Sequence, residues 1–259
     1  MAHAKIGGTR KAGSWSLKAE SRKPEAVCEF NCIGDYVKPL IKFLSSGPTS
    51  RFYDRAMTYS LLRREFKETR TLREYPNKEA LWTAAIELAG GREAQITYVE
   101  FGVYDAQGSF RYFREGNTNP SSAFIGLDSF HGLPERFGKV GAGYFDMKGV
   151  VPKVDDPRAT LIKGWFWDTW DELYPLIAKR DNFVVHYDAD LYSSTLFTLA
   201  RMELLKKPYI ALFDEFTGPE TLATHSYKQG FGAKVEMLGK VTQHGYPEQV
   251  LCRITPHGA

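Results

Sequence analysis

The chain has 259 residues, 43% of them hydrophobic and 25% charged, enough for one large α/β core with an extension. A net charge of +3, from 34 basic against 31 acidic residues, is too balanced to point to nucleic acid. Three cysteines (Cys28, Cys32 and Cys252) exclude a disulfide scaffold, and Cys28 and Cys32 lack the second pair or histidines of a zinc site, so all three read as reduced thiols.

Residues 1–30, rich in Gly, Ser, Lys and Arg, read as a mobile tail. With no apolar stretch of signal-peptide or membrane-helix length there, a cytoplasmic protein is expected. A helical extension over 31–92 follows, with helices at 36–44, 53–72 and 78–88, the last stopped by Gly90-Gly91. Its charged helices have few faces to bury on their own domain, which favours a homo-oligomer. From residue 93 onward short apolar runs alternate with helical stretches. Strands are expected at 96–101, 123–127, 160–163, 183–187, 209–213, 234–238 and 249–254. This is the pattern of a seven-stranded, mostly parallel α/β sheet, its last two strands pairing antiparallel at one edge across a Gly/His/Pro turn. The Gly-rich stretch 138–149 reads as a loop over a site.

Ligands of an open parallel sheet sit outside the carboxyl ends of the strands, so residues there carry the chemistry. The first core strand runs into Glu100-Phe101-Gly102-Val103-Tyr104 and reaches Ser109 through Gly108, a nucleotide-binding corner without the G-x-G-x-x-G fingerprint. Glu100 would repel a pyrophosphate and suits a cationic ligand such as a methionyl ammonium. Asp128, followed by Ser129 at the end of the second strand, is placed to accept two ribose hydroxyls. After the third strand, Gly164, Trp165 and Phe166 offer an adenine pocket. Together they outline S-adenosylmethionine.

The strands at 183–187 and 209–213 end in Asp188-Ala189-Asp190 and Asp214-Glu215. Four carboxylates at one rim suit a hard cation, Mg²⁺ or Mn²⁺. Candidate bases are Asp190 on the rim, His131 in a loop and His186 one pleat deeper. The Asp-x-Asp also fits a metal-dependent glycosyl- or phosphotransferase, although three strands precede it where a phosphatase motif opens the first. Tyr144 and Lys148 have the spacing of a reductase pair but fall in the Gly-rich loop.

The strings Glu100-Phe-Gly-Val103, Asp128-Ser-Phe-His-Gly-Leu-Pro134, Lys163-Gly-Trp-Phe166, His186-Tyr-Asp-Ala-Asp-Leu-Tyr-Ser-Ser194 and Phe213-Asp-Glu-Phe216 resemble the macrocin O-methyltransferase family in order and spacing. The resemblance covers about 53–218. It implies a Rossmann-like class I fold and Mg²⁺-assisted methylation, from S-adenosylmethionine, of a sugar hydroxyl on a glycosylated natural product, in antibiotic biosynthesis. It also implies Asp188, Asp214 and Glu215 as metal ligands. Met57-Thr58-Tyr59-Ser60 resembles the family's pre-domain helix, which implies Thr58 and Ser60 at the methionine carboxylate. Three features depart from the family pattern. The turn at Tyr104–Gly108 is one residue longer and carries Ala106 and Gln107 where glycines are common, Leu191 replaces a Lys or His base of related enzymes, and Thr224-His225-Ser226-Tyr227 matches only in part.

Overall fold

The computed structural model describes residues 71–259 except 138, 139 and 217, together with 58, 60, 61 and 66. The expected tail, the helix at 36–44 and most of the one at 53–72 lie outside the described residues, as do Cys28 and Cys32. Thr58, Ser60 and Leu61 are helical, but the chain has left the helix by Thr71. There the backbone turns to pair with a sheet edge, Tyr75 N donating to Lys240 O at 2.8 Å and Lys240 N to Arg73 O at 3.0 Å.

The elements in chain order are α1 (Lys78–Leu88), β1 (Thr97–Phe101), α2 (Ser109–Gly116), β2 (Ala123–Asp128), β3 (Ala159–Lys163), α3 (Phe166–Ile177), β4 (Phe183–Tyr187), α4 (Tyr192–Met202), β5 (Tyr209–Phe213), α5 (Pro219–Phe231), β6 (Lys234–Gln243) and β7 (Tyr246–Thr255). They form a seven-stranded sheet in the order β3-β2-β1-β4-β5-β7-β6. Strands β1 to β5 are parallel, and β7 runs antiparallel between β5 and β6. The fold class expected from the sequence is therefore the one observed. No helix among the described residues is long and apolar enough to cross a membrane.

Aromatic and β-branched runs such as Thr-Tyr-Val-Glu-Phe, Phe-Val-Val-His-Tyr and Tyr-Ile-Ala-Leu-Phe suit a pleated surface, and every residue of β1, β4 and β5 is buried. One face, carrying Val99, Phe101, Val185, Tyr187 and Phe213, packs on α3, α4 and α5. The other, carrying Tyr98, Phe124, Val184 and Leu212, packs on Leu81 and Ala85 of α1 and on Phe110 and Phe113 of α2. Helix α1, expected within the extension, thus shares the core of the sheet. Asn77 caps its start by accepting from Ala80 N at 2.8 Å, and it stops before Gly90 and Gly91, both at positive φ.

The order of strands reverses between β1 and β4, the switch point at which open α/β sheets bind ligands. Bonds across the strand ends align the next residues in one row. Gly164 N donates to Asp128 O, Gly102 N to Leu127 O, Asp188 N to Phe101 O, and Asp214 N to Tyr187 O, all at 2.9–3.0 Å. Candidate residues from five strands thereby meet at one rim.

Candidate active site

A cavity of about 330 Å³ opens at this rim, the size of a small cofactor or metabolite site. Of the expected cofactor residues, Gly102, Tyr104, Asp128 and Ser129 line it from β1 and β2, Gly164, Trp165 and Phe166 from β3, and Asp188 from β4. Asp190, Asp214 and Glu215 complete the acidic wall. Of the loop expected at 138–149, residues 140–149 are described, and they pack beside the site. Tyr144 O accepts from Leu133 N at 3.0 Å, Gly149 N donates to Phe130 O at 2.7 Å, and Phe145 reaches the cavity. Tyr144 and Lys148 lie there in irregular backbone, so they do not share a helix face. Aromatic rings crowd the mouth: Tyr104 packs edge-on to Phe145 with centroids 5.5 Å apart, and Trp165 stacks on Trp167 at 5.3 Å.

Gly102 has φ +98°, and a Cβ there would fall 1.9 Å from the carbonyl oxygen of Asp188. The backbone of the neighbouring strand therefore demands this glycine directly. Ala106, which with Gln107 stands where glycines are common, takes left-handed backbone at φ 59°, and so does Tyr104 at φ 49°.

Asp128 is more occupied than expected. Its Oδ2 accepts from Val103 N (3.0 Å) and Tyr104 N (2.8 Å), and its Oδ1 from Phe130 N (2.7 Å). It staples the loops after β1 and β2 together, which leaves room on Oδ1 for one ligand hydroxyl instead of two.

Glu100 and Ser109 are corrected as ligand contacts. Glu100 shares a strand face with Tyr98, pointing into the α1/α2 layer instead of the cavity. Tyr98 Oη and Ser109 Oγ (2.7 Å) donate to its two carboxylate oxygens. Burial pushes its carboxyl up to about 8 despite those hydroxyls. Thr58 is half-buried and Ser60 exposed, and neither lines the cavity among the described residues.

Two of the three candidate bases are also corrected. His186 is fully buried beside Glu100 in register, 3.3 Å from Tyr98 Oη, and burial holds its imidazole down to about 4, so it is a neutral core residue. His131 faces outward with its side chain 55% exposed, 3.9 Å from Asp146, and does not line the cavity. Asp190 remains. It sits on the rim at φ 59° and is pushed up to about 7, by burial first and then by Glu215, Asp214 and Asp128. An acid poised there suits proton transfer near neutrality.

The expected metal set is not assembled. Among the described residues no three His, Cys, Asp or Glu side chains are arranged to hold a metal ion. Asp214 is instead paired with a residue that sequence reasoning missed: Lys78 Nζ donates to its Oδ1 at 3.0 Å and its Oδ2 at 3.1 Å. Gln249 Nε2 donates to the same Oδ1. Burial alone would lower the Lys78 ammonium, but Asp214, with Glu248 and Asp188, raises it above the ordinary lysine value. A second missed residue is Glu220 on α5, wholly buried, whose Oε2 accepts from Glu215 N at 3.0 Å while Oε1 has no partner. Burial, and then Asp214, raise its carboxyl well above the ordinary carboxylate value. Burial and Asp214 likewise raise Asp188 and Glu215. Among the described residues the rim therefore presents several carboxylates and one lysine, a field that draws in a further cation.

No family model matches the chain, and no curated protein matches it. Among solved structures it is similar to CalS11, a calicheamicin methyltransferase, at 18% identity and a TM-score of 0.47 over 97% of this chain and 100% of that one. It is similar to an O-methyltransferase from Bacillus cereus in complex with SAH, at 9% identity and a TM-score of 0.45 over 86% of this chain and 97% of that one. TomG, an O-methyltransferase from Streptomyces achromogenes involved in tomaymycin synthesis and solved with SAM, aligns at 11% identity and a TM-score of 0.45 over 84% of this chain and 95% of that one.

Proposed function

We propose that this protein is an S-adenosylmethionine-dependent O-methyltransferase whose acceptor is a sugar hydroxyl of a glycosylated natural product. The observation that carries the reading is the cavity at the switch point, with an acid-rich floor, aromatic rings after β3 and Asp128 beside the glycine corner. A sulfonium with an α-ammonium offers positive charge to this acidic wall, an adenine suits Trp165 and Phe166, and a ribose hydroxyl suits the open site on Asp128 Oδ1. The motif strings that resemble the macrocin O-methyltransferase family lie on the strand ends lining the cavity, and they are the support for a sugar acceptor. A cytoplasmic location, a homo-oligomer and a role in antibiotic biosynthesis belong to the same proposal.

When bound, the cofactor supplies a methyl group on a sulfonium sulfur, an electrophilic carbon that leaves as its bonding pair returns to a neutral thioether. The chain's part is to orient and deprotonate a weakly nucleophilic oxygen. Asp190 Oδ takes the acceptor proton as the oxygen–carbon bond forms. Phe145 and the stacked Trp165–Trp167 pair close the mouth against water and give an apolar acceptor something to lie on. Asp188 lines the cavity floor beside Asp190.

The test is incubation with methyl-labelled S-adenosylmethionine and a panel of glycosides, with demethylated cofactor binding measured by calorimetry. Methyl incorporation into the sugar supports the reading. Transfer of sugar from a nucleotide-sugar, release of phosphate, or absence of cofactor binding refutes it.

A further inference from the structure

Lys78 is the first residue of α1, where a cation opposes the helix dipole and gains nothing from its own helix. Its partner is 136 positions away. The ammonium lies within hydrogen-bonding distance of both oxygens of Asp214 and 3.8 Å from Glu248 Oε1, with 32% of the Lys78 side chain and 16% of the Asp214 side chain exposed. Gln249 adds a third hydrogen bond to Asp214. A carboxylate offers about four lone-pair sites, so three are taken and a metal ion at Asp214 would be left with the one that remains. It would also have to sit beside a positive charge.

The lysine is delivered from a fixed position. Asn77 caps its helix, and the residues just before are tied to β6 by the two bonds between Arg73, Tyr75 and Lys240. Four buried residues, Leu81, Trp82, Ala85 and Ile86, hold the helix on the sheet. Such a placement costs backbone order and runs against the dipole, and the contact that offsets both is the one with Asp214.

We infer that Lys78 is the resident cation of the acidic rim, neutralising Asp214 so that Asp188, Asp214 and Glu215 do not recruit a divalent metal. The inference stands on the ion pair and is separable from the methyl-transfer reading. It turns the expected metal-dependent site into one whose inorganic cation is replaced by a side chain.

The experiment is a Mn²⁺ titration of the full chain, freed of metal with EDTA, read by the electron paramagnetic resonance signal of unbound Mn²⁺. Wild type is expected to leave the signal of free Mn²⁺ intact at micromolar metal. Lys78→Met, which keeps the stem and removes the charge, is expected to bind one Mn²⁺ at least about tenfold more tightly than wild type, because a like charge has left the site. Asp214→Asn added to Lys78→Met should abolish the gain. Stoichiometric micromolar binding by wild type, or no gain in a folded Lys78→Met protein, overturns the inference. Should Lys78→Met fail to fold, the wild-type melting temperature decides: no shift with Mn²⁺ is expected, and a rise overturns it. Labelled methyl transfer by wild type in EDTA is a separate measurement, so failure of the acceptor assay leaves the metal result readable.

Discussion

Asp128 is the residue whose loss should be felt in both the fold and the ligand site. Its carboxylate satisfies three backbone N–H groups, of Val103, Tyr104 and Phe130. Tyr104 is 46% exposed, so water can take over there, but Val103 and Phe130 are 5% and 0% exposed. Two buried N–H groups without acceptors cost about 1–3 kcal/mol each, so Asp128→Ala should lose about 2–6 kcal/mol of folding stability. Asp128→Asn retains one oxygen. If that oxygen keeps Val103 and Tyr104, its amide group faces the Phe130 N–H donor to donor, one bond is lost, and the cost is about 1–3 kcal/mol. Urea unfolding followed by tryptophan fluorescence measures both, and calorimetry with S-adenosylhomocysteine shows the accompanying loss of affinity. Asp128→Ala within about 0.5 kcal/mol of wild type, or less destabilised than Asp128→Asn, would refute the claim that Asp128 staples the two loops.

With Asp190 as the base, kcat/KM should rise with pH through a midpoint near 7, and Asp190→Asn should lose that limb together with about 10²–10⁴-fold of the rate; an unchanged profile would assign the base elsewhere. Gly102→Ala should be destabilised by more than about 3 kcal/mol, since its Cβ meets the Asp188 carbonyl, whereas Gly108→Ala, with nothing within 4 Å of its Cβ, should be close to neutral in melting temperature. Ligand-free stability should fall between about pH 6.5 and 8. Asp190 and Glu100, raised to about 7 and about 8, bind protons more tightly folded than unfolded, so the stability they add at low pH is lost as pH rises through those values. His186, depressed to about 4, works in the opposite sense but only below its unfolded value of about 6.5; a melting temperature that climbs from pH 6.5 to 8 would contradict the assignment.

Much of the fold was legible because the central strands are continuous aromatic and β-branched runs bounded by charge, and β4, β5 and α1 end where the sequence places them. The last two strands were read short. Expected at 234–238 and 249–254, they run through Lys234–Gln243 and Tyr246–Thr255, because His244 and Gly245, both at positive φ, make so tight a turn that the ladder continues to its tip. Register shifts between Met237 and Gly239 and between Val241 and Thr242 interrupt the period of two and hid this. Glu100 could have been read correctly from alternation alone. It stands two residues from Tyr98 on a strand buried on both faces, so its side chain had to enter a helix layer.

The residues that close the site were harder to see, and the reason is topological. Strand ends announce Asp128, Asp188, Asp190 and Asp214 because the position next to an apolar run is local information. What each carboxylate pairs with depends on elements far apart in the chain: α1 brings Lys78 to Asp214, and β7, inserted antiparallel beside β5, brings Gln249 to the same oxygen. Four acids in two strings therefore look from the sequence like a cation site awaiting its metal. Once the chain is folded, one of the four has a cation from the protein itself, while Asp188, Asp190 and Glu215 are left with raised proton affinity and an open cavity in front of them. The remaining charge is of the kind that an organic cation, bound and released in each turnover, can neutralise. A permanently held divalent ion would remove that imbalance and weaken the attraction for a sulfonium, so a lysine that neutralises only Asp214 is consistent with keeping the field that the proposed cofactor needs.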